Sequence, residues 1–142
     1  MIVRKFNNSS SDIDFLFNLR NKKYVKKVSF NEKKIKKKSH LEWLKKNLKN
    51  NKIEIFIFGK NNKINYGYVA KKKKNNKIYL SWAILKQYNS KNYTTLALKK
   101  TTNKKKYCAH IKINNIASQI VALKAGFSFY KKFGTYIEFK KD

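Results

Sequence analysis

The chain has one cysteine, four glycines, two arginines and no proline, and it sets seven acidic residues against 36 basic ones. Each scarcity excludes something. A lone Cys108 cannot close an internal disulfide and fits a reducing compartment, so a cytoplasmic location is expected. No apolar run approaches the roughly 20 residues that span a bilayer, and Met1-Ile2-Val3-Arg4-Lys5 does not read as a secretory leader, so no membrane partner is expected. No metal is expected either, since no His, Cys, Asp or Glu spacing matches a zinc site. A Ser/His/Asp arrangement and an intact GxGxxG motif are also missing.

What is present argues for one folded unit. At 142 residues with 42% hydrophobic content, the chain suits a single domain over residues 1–142 with one real core, and disorder is excluded despite the charge. A net charge of +29 ordinarily points to nucleic acid or an anionic surface. Here Lys, Asn, Ile, Phe and Tyr, all with A/T-rich codons, dominate the composition, so coding bias accounts for much of the lysine. The lysines are also scattered, as Lys22-Lys23, Lys36 to Lys38, Lys71 to Lys74 and Lys104 to Lys106, which reads as solvated loops and helix faces. Nucleic acid is therefore not the expected partner. Residues that resist this drift, Gly67, Gly126, Arg4 and Arg20, carry more information.

The coarse pattern is α/β. Ile2 to Phe6 reads as a strand, and Ser10 or Ser11 caps a helix over Asp12 to Asn21 whose acids sit at its positive end. A second helix is expected from about Glu32 to Leu48, with Leu41, Leu44 and Leu48 as its buried stripe. Ile53 to Phe58 and Ile64 to Ala70 form a hairpin across Gly59 to Lys63, followed by a strand over Ile78 to Ile84. Apolar residues on both faces of these strands predict a sheet covered on both sides. A helix from Tyr93 to about Thr102, a strand from Tyr107 to Ile113, a helix capped by Asn114 or Asn115 and stopped by Gly126, and strands over Phe127 to Phe133 and Tyr136 to Phe139 complete the order βααβββαβαββ.

That order, together with Asn115-Ile116-Ala117-Ser118 and the later Gly126-Phe127, resembles the acetyl-CoA core of the GNAT N-acetyltransferases. The resemblance covers nearly the full length and implies the mixed central sheet of that acyl-CoA N-acyltransferase fold, with acetyl-CoA as acyl donor. It implies that backbone groups of Trp82, Ala83 and Ile84 meet the pantetheine arm, with Asn115 and Ser118 beside it. The loop Asn89-Ser90-Lys91-Asn92-Tyr93-Thr94 takes the place of the family's Arg/Gln-x-x-Gly-x-Gly/Ala pyrophosphate cradle. Free backbone N–H groups and a helix dipole favour phosphate there. Both loop glycines are missing, which is the largest departure from the family pattern.

Toward the amino terminus, Leu19-Arg20-Asn21, Val25, Ser29, Ile35 and His40-Leu41-Glu42-Trp43 resemble a pattern of bacterial GNATs that acylate nucleotide-activated amino sugars, such as those of the pseudaminic acid pathway. This implies a small-molecule amine acceptor, a nucleotide-linked amino sugar in surface polysaccharide synthesis, bordered by Arg20, Asn21, His40 and Trp43. Acetyl transfer needs the amine deprotonated. With no Asp or Glu between Glu54 and Glu138, the base is His40, Glu42, Glu54, His110 or a water chain. Glu54 and His40 are the catalytic candidates, while His110 alternates with inward-facing neighbours and is expected to face outward or pack on a helix. The tyrosine that many family members carry seven residues after the motif asparagine is Ala122 here. Other readings are an acyl-CoA-binding module without catalysis, transfer to another small amine or a protein amine, and a lysine-driven nucleic-acid binder. The last would show steeply salt-dependent binding without acyl-CoA dependence. A monomer or homodimer is expected.

Overall fold

Alternating apolar residues lay down seven strands that join in one mixed sheet, and the helices between them close over its two faces. The computed structural model describes residues 1–103 and 105–142; Lys104, from the run Lys104 to Lys106, lies outside the described residues. The elements are β1 (Ile2–Lys5), α1 (Ser10–Arg20), α2 (Lys23–Val28), α3 (Lys37–Lys49), β2 (Ile53–Gly59), β3 (Asn65–Lys74), β4 (Lys77–Ile84), a 3-10 turn (Lys86–Tyr88), α4 (Tyr93–Thr101), β5 (Tyr107–Lys112), α5 (Ile116–Lys124), β6 (Ser128–Phe133) and β7 (Tyr136–Lys141). The strand order is β1-β2-β3-β4-β5-β7-β6. All neighbours pair antiparallel except β4 and β5, which run parallel.

Two hydrophobic clusters occupy the two faces, as the doubly apolar strands require. Phe58, Val69, Leu80, Leu98, Tyr107 and Phe127 belong to the one that α4 and α5 cover. Leu16, Leu19, Leu44, Ile55, Tyr68 and Ala83 belong to the other, beneath α1, α2 and α3. Gly67 lets β3 lie against Phe58 and the Ala83 carbonyl, where a Cβ would collide with both. Gly126 ends α5 at φ +97°, a conformation that side chains resist.

The amino-terminal helices differ from expectation. Asn21 pins the strand-like run before α3, donating to the Ile35 carbonyl at 3.0 Å and accepting from the Ile35 N–H at 2.8 Å. That clamp takes both backbone groups of Ile35, Lys36 after it is extended, and α3 starts at Lys37 rather than Glu32, while Val25 anchors an extra short helix, α2. On α3 the buried positions are His40 and Leu44, one turn apart, while Leu41 lies about 100° off that line and is 39% exposed. Ser9, not Ser10 or Ser11, caps α1 by accepting from the Asp12 N–H. Asp12 serves more than the helix dipole. It is buried against Arg4 through two 2.8 Å hydrogen bonds, and the guanidinium holds its carboxyl below the usual range.

Candidate functional site

β4 and β5 share a single register pair, Tyr79 with Cys108, and then part. The Leu85 N–H bonds the Tyr66 carbonyl across β3, so antiparallel alternation turns the N–H and C=O groups of Trp82 and Ile84 toward the gap. Strand edges with free polar backbone invite an extended ligand. The Ile84 carbonyl is already engaged: Tyr24 of α2 donates its hydroxyl to it at 3.0 Å and accepts the Lys86 N–H at 3.0 Å. The Trp82 indole N–H is buried without a partner among the described residues. Ala83 points to the opposite face and is buried beneath the amino-terminal helices.

At the open end of the gap, the loop from Asn89 to Thr94 leads into α4. Ser90 stands at φ +62° and Asn92 at φ +61°, so two left-handed residues take the positions where glycine is usual. Helix bonding begins with the Leu96 N–H on the Asn92 carbonyl, which leaves the amides of Tyr93, Thr94 and Thr95 without helical acceptors. The Asn92 side chain makes no cap; it accepts from Lys124 Nζ of α5 at 3.4 Å. Asn89 accepts from the Ser90 N–H, Lys91 is exposed, and Tyr93 stacks on Tyr66 at 4.6 Å. Thr95 Oγ1, in the first turn, is buried and unpartnered. Across the gap Asn115 caps α5 by accepting the Ser118 N–H at 3.2 Å. Free amides, an unpaired strand edge and orphaned donors fit a long phosphorylated ligand in extended form.

On the other face, Arg20, Trp43, Tyr68, Lys72 and Ser81 line a cavity of about 110 Å³. Arg20 lies 4.8 Å over the Trp43 ring and reaches His40 Nδ1 at 3.3 Å, with no acidic partner among the described residues. Arg20 and Trp43 therefore meet as the amino-terminal pattern implies, but His40 stands behind them. It is 1% exposed, stacks on Trp43 at 6.3 Å, and leaves Nε2 buried without a partner. Burial first, and then the Arg20 charge, push its pKa down to about 4. A sealed imidazole beside a guanidinium does not meet a solvent-borne amine, so its burial argues against His40 as a catalytic base. Asn21 likewise faces the Ile35 backbone, not the cavity.

Glu54 is also misplaced for catalysis. It is half exposed on β2, two strands from the gap, and sits between Lys5 at 3.7 Å and Lys71 at 3.8 Å. Strand alternation puts it on the face opposite Ile53 and Ile55, away from the cavity those residues line. Glu42 is exposed on α3. Sequence reasoning passed over the pairing of His110 with Glu138, whose Nε2 and Oε1 lie 2.7 Å apart beside the start of the gap. The register pair of His110 with Glu138 across β5 and β7 is what brings them together. The one available signal was Glu138's isolation as the first acid after Glu54.

No family model and no curated protein matches the chain. Among solved structures it is similar to a spermidine N-acetyltransferase from Vibrio cholerae in complex with CoA and spermine, at TM-score 0.82 and 16% identity over 98% of this chain and 93% of that one. A ribosomal-protein-alanine N-acetyltransferase from Brucella melitensis gives TM-score 0.77 at 14% identity over 99% of both chains. A putative acetyltransferase from Salmonella typhimurium with its cofactor acetyl-CoA gives 0.77 at 14%, covering 98% of this chain and 91% of that one. The fold is thus that of the GNAT acyl-CoA N-acyltransferases.

Proposed function

We propose that residues 1–142 act as one acetyl-CoA-dependent N-acetyltransferase domain in the cytoplasm, acylating a primary amine. One observation carries the reading. The parted β4 edge runs into a loop with two left-handed residues and the free amides of α4, so strand edge and phosphate cradle form one continuous site. Trp82 and Ile84 hold the extended arm, Ser90 to Thr95 hold the phosphates, and Asn115 and Ser118 wall the far side. Bound there, acetyl-CoA supplies an activated acyl carbon. The chain's own residues orient it, exclude water and manage the amine's proton.

For the acceptor we infer a nucleotide-linked amino sugar. Arg20 and Lys72 border the cavity without acidic partners among the described residues, which suits the phosphates of such a molecule. The pattern from Leu19 to Trp43 interlocks in support of that cavity, with Ser29 donating to the Val25 carbonyl, Asn21 fixing Ile35 and His40 steadying Arg20. A solved neighbour carries spermine, so polyamines are the competing acceptors to test.

Calorimetry with acetyl-CoA should show binding in the micromolar range, and a mass-spectrometric assay should show acetylation of a UDP-linked amino-dideoxyhexose in preference to spermidine. Lack of binding at millimolar acetyl-CoA would overturn the reading. A second reading, an acyl-CoA-binding module without turnover, is favoured by Ala122. That residue is fully buried, so the position seven after Asn115 offers no acid for the thiolate. Binding without product from any amine would select it.

A further inference from the structure

Carboxylates are scarce in this chain, and Glu138 is buried with His110 on one oxygen and Lys140 3.9 Å from the other. Its side chain is 6% exposed, while that of His110, bonded to it at 2.7 Å, is 31% exposed. A carboxylate only accepts, so His110 Nε2 carries the shared hydrogen, and in the neutral ring Nδ1 keeps its lone pair. Sealing a carboxylate under a partly open imidazole costs more desolvation than an apolar pair would, and pairs of that kind recur at functional sites. The dyad's place is specific. His110 lies two residues past Cys108, the last β5 residue in register with β4, on the same face as Tyr79 and hence as Ser81 of the Arg20 cavity. Aromatic rings surround it, Tyr79 at 5.0 Å and Tyr136 at 4.9 Å, with Phe30 packed on Tyr136 at 5.4 Å. Such rings attract cations, and an ammonium is one.

We propose that His110 is the general base for the acceptor amine, that Glu138 is its positioning residue, and that the surrounding rings receive the acceptor as its ammonium. The inference rests on the acetyl-transfer reading. His110 Nδ1 takes one proton from the ammonium and later gives it to solvent. The freed nitrogen lone pair forms the C–N bond to the acetyl carbon. As the C–S bond breaks, its electron pair goes to sulfur, which takes up the second nitrogen proton, so an ammonium and acetyl-CoA become an amide, CoA thiol and one proton. Other groups facing the imidazole are few. Lys140 lies 3.9 Å from Glu138, Lys131 of β6 sits opposite Glu138 in register, and Cys108 and Lys112 share the His110 face of β5, with Lys112 held by Glu32 at 3.1 Å.

The test compares pH profiles of acetyl transfer to the UDP-linked amino-dideoxyhexose and to spermidine for wild type, His110→Gln and Glu138→Gln, with acetyl-CoA calorimetry and thermal melts in parallel. His110→Gln should lose about 100-fold or more in kcat and lose the ascending acid limb, with acetyl-CoA Kd changed less than about twofold. Glu138→Gln should lose roughly tenfold and move that limb to lower pH. His110→Asn replaces His110→Gln if the latter fails to fold. Wild-type kcat and limb in a folded His110 variant overturn the dyad alone. So does a Glu138→Gln that melts lower yet keeps its pH profile, the mark of a structural pair, whereas binding without turnover of either amine overturns the parent reading and this one with it. Failure of wild type to bind acetyl-CoA overturns the parent reading first and this one with it.

Discussion

In the proposed site, the donor side of the gap is built from backbone, the acceptor side from side chains. Along β4 and the loop into α4 the useful groups are peptide N–H and C=O, and Ser90 and Asn92 reach φ +62° and +61° without glycine. On the other face the useful groups are Arg20, Trp43, His110 and Glu138, contributed by α1, α3, β5 and β7. A backbone site survives substitution as long as the chain path survives, whereas a side-chain site depends on residue identity at positions distant in sequence. The two histidines show the contrast within one face. His40 is sealed against a cation and His110 is partly open against an anion, so only the second is open to a solvent-borne group.

Removing His40 should damage stability most. His40→Ala leaves a ring-sized cavity under Arg20 and should cost about 3 kcal/mol, read by chemical denaturation. His40→Phe keeps the volume and deletes the orphaned Nε2, so it should fall within about 1 kcal/mol of wild type. An equal loss in both variants would mean that the contact with Arg20, more than packing, carries the contribution of the imidazole. The pH dependence has a fixed sign. A folded pKa of about 4 against an ordinary 6.5 means that the unfolded chain binds this proton more readily, so stability is full above 6.5 and falls as pH drops toward 4. The loss is at most about 3 to 4 kcal/mol, from a shift of about 2.5 at roughly 1.36 kcal/mol each, and should be absent from the pH profile of His40→Phe.

Arg20 comes next. Arg20→Met keeps much of the packing on Trp43 but removes the charge, and should raise the KM for a phosphate-bearing acceptor about tenfold to thirtyfold, the worth of a charged hydrogen bond. Acetyl-CoA affinity should stay within about twofold, since Arg20 touches none of the groups assigned to acetyl-CoA in this proposal. A matched loss of acetyl-CoA binding would erase the division between the two sides.

That division also decided what the sequence disclosed. The seven strands, α4, α5 and a cap at Asn114 or Asn115 were legible, because periodicity and capping are local and the proposed donor site is made of them. The boundary of α3 was not, since it depends on Asn21 gripping Ile35 fourteen positions away. Leu41 lost its expected burial because one face of α3 was already taken by His40 and Leu44. His110 and Glu138 meet only through the β5–β7 register, which no spacing rule announces. His40, by contrast, drew notice because its helix neighbours are close in sequence, and proximity in sequence says nothing about solvent access.

The smallest effects test the backbone side itself. A left-handed residue with a Cβ carries strain on the order of 1 kcal/mol, but asparagine bears it better than serine because its short amide stabilises that conformation locally. Glycine removes the strain and gives back perhaps half of it as unfolded-state entropy. Ser90→Gly should therefore stabilise by about 0.5 kcal/mol, and Asn92→Gly by less. For acetyl-CoA the order should reverse. Asn92 starts α4 and holds Lys124 at 3.4 Å, so its loss both bares the approach to the free amides and releases a cation near them. Asn92→Gly should tighten the acetyl-CoA Kd about threefold, and Ser90→Gly by less, in titrations at one fixed ionic strength because the lysine contribution is screened by salt. Should Asn92→Gly bind more weakly, the asparagine amide itself contacts the ligand, and the donor side depends on side-chain identity just as the acceptor side does.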